Sequence, residues 1–207
     1  MARRPNPVRP RRMDEKAYEK AIRRVYVNPM FAILRSRLAN AQDITATYHA
    51  LRATSDDMLA AKFGANVERE VREDMSKLRA YHKRTLQKQF AAALGVDISL
   101  LLTEPEIESF MRAKIIENVD LIKTIPPRMH DSLKGRLQKL LAENPFDQSL
   151  VRQALRDEYG STGYNLRRLT RDQTQKTIAG LTEIRHSQLG IEPVSYTHLT
   201  LPTILLV

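Results

Sequence analysis

Three observations predict an all-α protein. Apolar residues recur every three or four positions through most of the chain, which lines them up along one side of a helix. Asn-Pro, Pro-Pro and Gly positions cut that pattern into segments of helical length. Strand-like alternation is nearly missing, and Val96 to Leu102 is a short apolar run that reads as either a buried linker or a strand. The expected molecule is an elongated body of about seven helices with a disordered basic N-terminal arm.

The arm comes first. Residues 1–12 contain three prolines and five arginines (Arg3, Arg4, Arg9, Arg11 and Arg12) and no acid. Proline fixes φ and removes donors, so residues 1–13 are expected to be extended and solvated. A first helix is predicted over residues 14–27, ended by Asn28-Pro29. A second is predicted over residues 30–53, with Phe31, Leu34, Leu38, Ala41, Ile44 and Tyr48 on one stripe. Ser55-Asp56-Asp57 reads as a loop or cap, and Gly64 as further punctuation.

The longest periodic stretch covers residues 65–94, where Val67, Val71, Met75, Leu78, His82 or Tyr81, Leu86 and Phe90 share a face. Gly95 ends it. Thr103 and Glu106 have capping-box spacing before a helix running to about Thr124, which Pro126-Pro127 stops. Met129, Leu133, Leu137, Leu140 and Leu141 mark the next helix, up to Asn144-Pro145. Asp147 sits where an N-cap belongs, and a helix to Tyr159 should stop at Gly160.

A last helix is predicted from Tyr164 to Gly190, opened by a turn at Gly163. Leu166, Leu169, Ile178, Leu181 and Ile184 form its apolar side, interrupted by Arg171, Asp172, Gln173, Thr174 and Thr177. Asp172 fits a solvated i,i+4 pair with Arg168 or Lys176. Gln173 and Thr174 fit that account less well, because they interrupt the apolar face. A structural polar network joining this helix to residues beyond it accounts for the run better. A DNA or partner contact through Arg167, Arg168 and Arg171 is the sharper alternative.

Charge points to an anionic partner. The formal net charge is +10, and half of it lies in residues 1–12. Residues 13–193 carry 29 basic and 24 acidic residues, so the body is only mildly basic. A basic arm contacts nucleic acid or another anionic surface, or serves as a solubilising tail. Nothing in the sequence supports catalysis. His49, His82, His130, His186 and His198 do not cluster, there is no cysteine, and no phosphate loop, dinucleotide fingerprint or nucleophile elbow occurs. No catalytic residue, metal ligand or cofactor is therefore expected. No signal peptide or membrane span is expected either.

Two motifs carry a resemblance. Leu169-Thr170-Arg171-Asp172-Gln173-Thr174 is followed by a helical stretch ending in Leu189-Gly190-Ile191. Upstream stand Asn118-Val119-Asp120-Leu121-Ile122-Lys123-Thr124-Ile125-Pro126. In this order they resemble the phage head-morphogenesis family, the minor head proteins similar to the F protein of phage Mu, over about residues 104–193. The resemblance implies a non-enzymatic minor capsid component at the portal vertex, made in the host cytoplasm and incorporated in the virion. Its implied partners are portal and capsid proteins and packaged DNA. It also marks Asn118, Ile125, Pro126, Arg171, Asp172, Gln173, Thr174 and Gly190 as signature positions of structural character. Members usually continue into a small, partly β region bearing His and Cys, which is missing here.

Residues 194–207 change character, with no charge and many Thr, Leu and Val. Val194 to Thr203 resembles a translated transposon-end sequencing adapter, so the native sequence is expected to stop near Pro193. The expected organisation is an arm over residues 1–13, an N-terminal helical region over 14–102, a head-morphogenesis-like helical domain over 103–193, and an artefactual tail. A stand-alone helical nucleic-acid-binding protein is the rival reading, and an enzyme with its site beyond these residues is a third.

Overall fold

The computed structural model describes residues 8–191, and every regular element among them is helical. Arg3, Arg4, His198 and the 194–207 segment lie outside the described residues.

α1 (Arg12–Ile22) runs through one π-helical turn (Arg23–Val27) into α2 (Asn28–Ala39). The break expected at Asn28-Pro29 is replaced by a wider turn. The Asn28 amide donates to the Arg23 carbonyl, five residues back, and Pro29 opens α2, where its missing amide is tolerated. The single helix expected over residues 30–53 is two. Asp43 is extended and accepts the Ala46 amide at 2.7 Å, which starts α3 (Ile44–Leu59) afresh. Ile44, expected on the apolar stripe, is exposed as a result. Ser55-Asp56-Asp57 is helical, because Arg37 of α2 ties down this turn through Thr54 (3.2 Å) and Asp57 (2.5 Å). The chain turns at Ala60, and Gly64 lies inside α4 (Ala61–Leu94).

α4 has 34 residues and spans roughly 51 Å at ~1.5 Å per residue. Its stripe is buried at all seven expected positions, from Val67 to Phe90. Gly95, at φ 68°, closes it. Val96 to Leu102 is a loop, anchored by the buried Ile98 and Leu102. α5 (Pro105–Lys123) follows without the expected capping box. Thr103 Oγ1 and Glu106 Oε2 instead both accept from Gln188 Nε2, at 2.9 and 3.0 Å, so a contact with the last helix takes the capping groups. α6 (Ile125–Glu143) carries Pro126 and Pro127 in its first turn.

α7 (Gln148–Gln188) is the longest element, with 41 residues. Asp147 caps it, accepting the Ser149 amide at 2.8 Å. Neither a stop at Gly160 nor a turn at Gly163 occurs. Leu155, Glu158, Thr162 and Leu166 stay buried across both glycines, so packing on one face carries the helix through. A glycine inside a helix costs only about 1 kcal/mol, which that burial exceeds. The C-terminus is a Schellman motif: Ile191 N–H bonds to His186 C=O (2.9 Å) and Gly190 N–H to Ser187 C=O (3.0 Å), with Gly190 at φ 66°.

α7 packs against α1, α4, α5 and α6, while α3 joins α2 to α6. One apolar cluster unites buried residues from Val8 to Leu181, so residues 14–102 and 103–191 share a core. α5 packs tightly on α7 at Gly180, where a Cβ would lie 2.4 Å from the Phe110 ring.

Candidate nucleic-acid interface

The described part of the arm is held against the body. Val8 is buried, and the Arg9 carbonyl accepts from Tyr81 Oη at 2.9 Å. The Arg11 guanidinium lies 4.6 Å from the centre of the Tyr81 ring and makes two bonds to Asp14, at 2.8 and 2.7 Å. Hydrogen bonding to Asp14 raises the Arg11 pKa further, so this arginine is a neutralised anchor. Arg12 already belongs to α1. The expected disordered arm over residues 1–13 is thus corrected for residues 8–13: Tyr81 of α4 supplies a hydroxyl and a ring face that fix its path.

This docking builds a cleft of about 980 Å³ between the arm, α1 and α7. Arg9, Arg12, Lys16 and Lys20 line one wall, and Arg167, Arg171 and Gln175 the other. Arg12, Lys16 and Lys20 are four residues apart, which puts them on one side of α1. Arg23 lies deeper, against Gly163, where a Cβ would come within 2.7 Å of its guanidinium. Glu19 neutralises this end, accepting from Arg23 (2.9 Å) and Arg167 (3.2 Å). Arg9, Arg12, Lys16, Lys20 and Arg171 make no ion pair among the described residues. Glu15 also lines the cleft and makes no ion pair among the described residues, so five unpaired cations face one unpaired carboxylate, and the excess attracts a polyanion.

Of the sequence-predicted residues, Arg9, Arg12 and Arg171 come together here, while Arg11 anchors the arm. The Arg171-to-Thr174 run splits. Arg171 faces the cleft, and Asp172 pairs with Lys176 at 2.8 Å; no Arg168–Asp172 pair forms among the described residues. Gln173 and Thr174 are buried. Gln173 Oε1 accepts from Asn118 Nδ2 at 3.4 Å, and Asn118 Oδ1 accepts from Tyr18 Oη at 2.9 Å. The two signature motifs therefore meet in a polar junction of α1, α5 and α7. That contact joins residues within 8–191, and residues beyond Ile191 lie outside the described residues. Thr174 and Thr177 bond to carbonyls of their own helix, both at 2.8 Å. Ile125 and Pro126 open α6, with Pro126 buried, and Gly190 ends α7.

Lys16, Lys20 and Arg23 join the site from outside the arginine-rich arm. The i,i+4 basic row on α1 was the available signal. His82, on the expected stripe of α4, is fully buried. Among the described residues no group of His, Cys, Asp or Glu has metal-site geometry, and no helix is long and apolar enough to cross a membrane.

No protein-family model matches the chain. Over 99 residues, 47% of its length, it is 28% identical to an uncharacterized protein of Haemophilus influenzae (strain ATCC 51907 / DSM 11121 / KW20 / Rd). The match spans 22% of that relative's length. No solved structure matches.

Proposed function

We propose that this chain is a minor head protein acting in phage head morphogenesis at the portal vertex, with the α1/α7 cleft contacting packaged DNA. The cleft carries the reading: five free cations from two separate stretches of chain, residues 9–20 and Arg171, converge on one surface. The two ordered motifs supply the family, and their meeting at Asn118 and Gln173 gives those positions a shared structural role. The function is positional and involves no chemistry. The helical body docks on portal or capsid protein in the host cytoplasm, remains in the virion, and presents the cleft to DNA.

Mass spectrometry of purified heads tests this directly. The chain should copurify with DNA-filled particles at a few copies per head, and disruption of its gene should lower the yield of filled heads. Absence from particles, together with salt-sensitive binding of the isolated protein to DNA, would favour the stand-alone nucleic-acid-binding reading.

A further inference from the structure

The middle of α7 stands between two clefts. On the side away from α1, a second opening of about 1000 Å³ separates it from α6. Arg128 from the start of α6 and Arg168 from α7 line it, with no ion pair among the described residues. Arg136 is engaged there by the buried Glu158 at 3.2 Å and by Ser161 at 3.1 Å. Hydroxyl and amide groups of Thr124, Ser161 and Asn165 face the same space. Together the two clefts present ten arginines and lysines against four carboxylates. Three of those carboxylates (Glu19, Glu158 and Asp172) already have cationic partners.

Between the clefts, residues 164, 165, 167, 168, 171, 172, 175 and 176 are all exposed. At 3.6 residues per turn these positions cover about half the circumference of the helix. Its crest carries Tyr164, 60% exposed, with Arg168 lying 5.9 Å over the ring. A helix is about 10–12 Å across, and the major groove of duplex DNA is about 12 Å wide. A half-exposed helix with cations on both sides fits a groove bordered by two phosphate strands.

We infer that the segment Tyr164–Lys176 of α7 is a ridge that seats in the major groove of duplex DNA. Arg12, Lys16 and Lys20 meet one phosphate strand, and Arg128 and Arg168 meet the other. This rests on the DNA-contact reading above and adds the form of DNA and the second strand's contacts. Charge complementarity selects the occupant, since the uncompensated charges on both sides of the crest are positive except for Glu15, and the cations outnumber it. Hydroxyls and amides flanking them are common phosphate donors.

The full chain is titrated, by fluorescence anisotropy, with a 20-base-pair duplex and with the single strand of the same sequence. Duplex binding should be about tenfold tighter, and guanine N7 in the duplex should be protected from dimethyl sulfate. Arg128→Gln and Arg168→Gln should each weaken duplex binding severalfold and shallow its salt dependence by about one contact, with circular dichroism unchanged. Equal affinity for both forms, or unprotected N7, overturns the ridge. So does a pair of unaffected variants when Lys16→Gln/Lys20→Gln still weakens binding; that result leaves the α1/α7 cleft standing. Tighter binding to poly-glutamate than to duplex at matched salt overturns it in favour of an acidic protein segment. If no cleft variant alters binding, the DNA-contact reading falls with it.

Discussion

His82 and Arg185 are both fully buried, and they form a chain without a carboxylate. Arg185 Nη1 donates to His82 Nδ1 (3.1 Å), so the His82 proton sits on Nε2 and points to Thr182 Oγ1 (2.8 Å). Thr182 in turn donates to the Ile178 carbonyl at 2.8 Å. Burial, then the charges of Arg185 and His186, push the His82 pKa down to about 3. Arg185 Nε and Nη2 have no partner, so His82 is the one acceptor this guanidinium has among the described residues. His82→Leu should therefore destabilise the fold by about 2–4 kcal/mol, because it orphans a buried cation. Adding Arg185→Met should recover most of that loss. Urea midpoints of the two variants decide it, and a double variant no better than the single one contradicts the pairing.

Asp74 makes an opposite pH argument. Burial raises its pKa to about 6, and Oδ2 has no partner. The folded chain holds this proton more tightly than the unfolded chain, whose value is near 3.8, so stability is present below about pH 4 and is lost as pH rises through about 6. His82 works the other way: its stability is present above pH 6.5 and is lost as pH falls toward about 3. Asp74→Asn should raise stability at pH 8 by about 1–3 kcal/mol and change little at pH 4. Thermal melts at the two pH values show which; an equal gain at both would place the effect elsewhere than in the charge.

Among the elements, α7 tests the role of packing over punctuation. Gly160 is helical with open space around its Cα, so Gly160→Ala should stabilise by about 0.5–1 kcal/mol through helix propensity. Gly180→Ala should lose stability by about 1–3 kcal/mol, because its Cβ collides with Phe110. A destabilising Gly160→Ala would mean that the helix stops there after all. These glycines also show where the sequence was legible. The long stripes of α4, α5 and α6 declared themselves, because a buried face fixes the period. Asp147 and Gly190 were legible as caps for local reasons. The divisions at Asn28-Pro29, Asp43 and Gly160 were not, since each depends on what the neighbouring helices bury. Thr103 and Glu106 had the right spacing for a cap and lost it to Gln188, 82 residues and more away in sequence.

Across the whole molecule, the described residues are all-α and share one core, and the surface feature of interest exists only because two distant stretches, residues 9–23 and 167–175, converge. The arginine-rich arm and Arg167–Arg171 were visible in the sequence as separate features. Their juxtaposition was not, because Tyr81 decides where the arm lies and no pattern in the chain announces that contact. Tyr81→Phe should remove the hydroxyl contact to Arg9, and Tyr81→Ala the stacking on Arg11 as well. Both should loosen the arm, detectable as faster backbone hydrogen exchange over residues 8–12, with the larger effect for Ala.

The central claim is that the α1/α7 cleft takes a polyanion. It is tested by the salt dependence of duplex DNA binding, for the full chain and for the variant Arg12→Gln/Lys16→Gln/Lys20→Gln/Arg171→Gln. Each lost phosphate contact should reduce the slope of log K against log salt by about 0.9, so the variant's slope should be shallower by about 3–4. Identical slopes for the two proteins would remove the cleft from any account of what this chain binds.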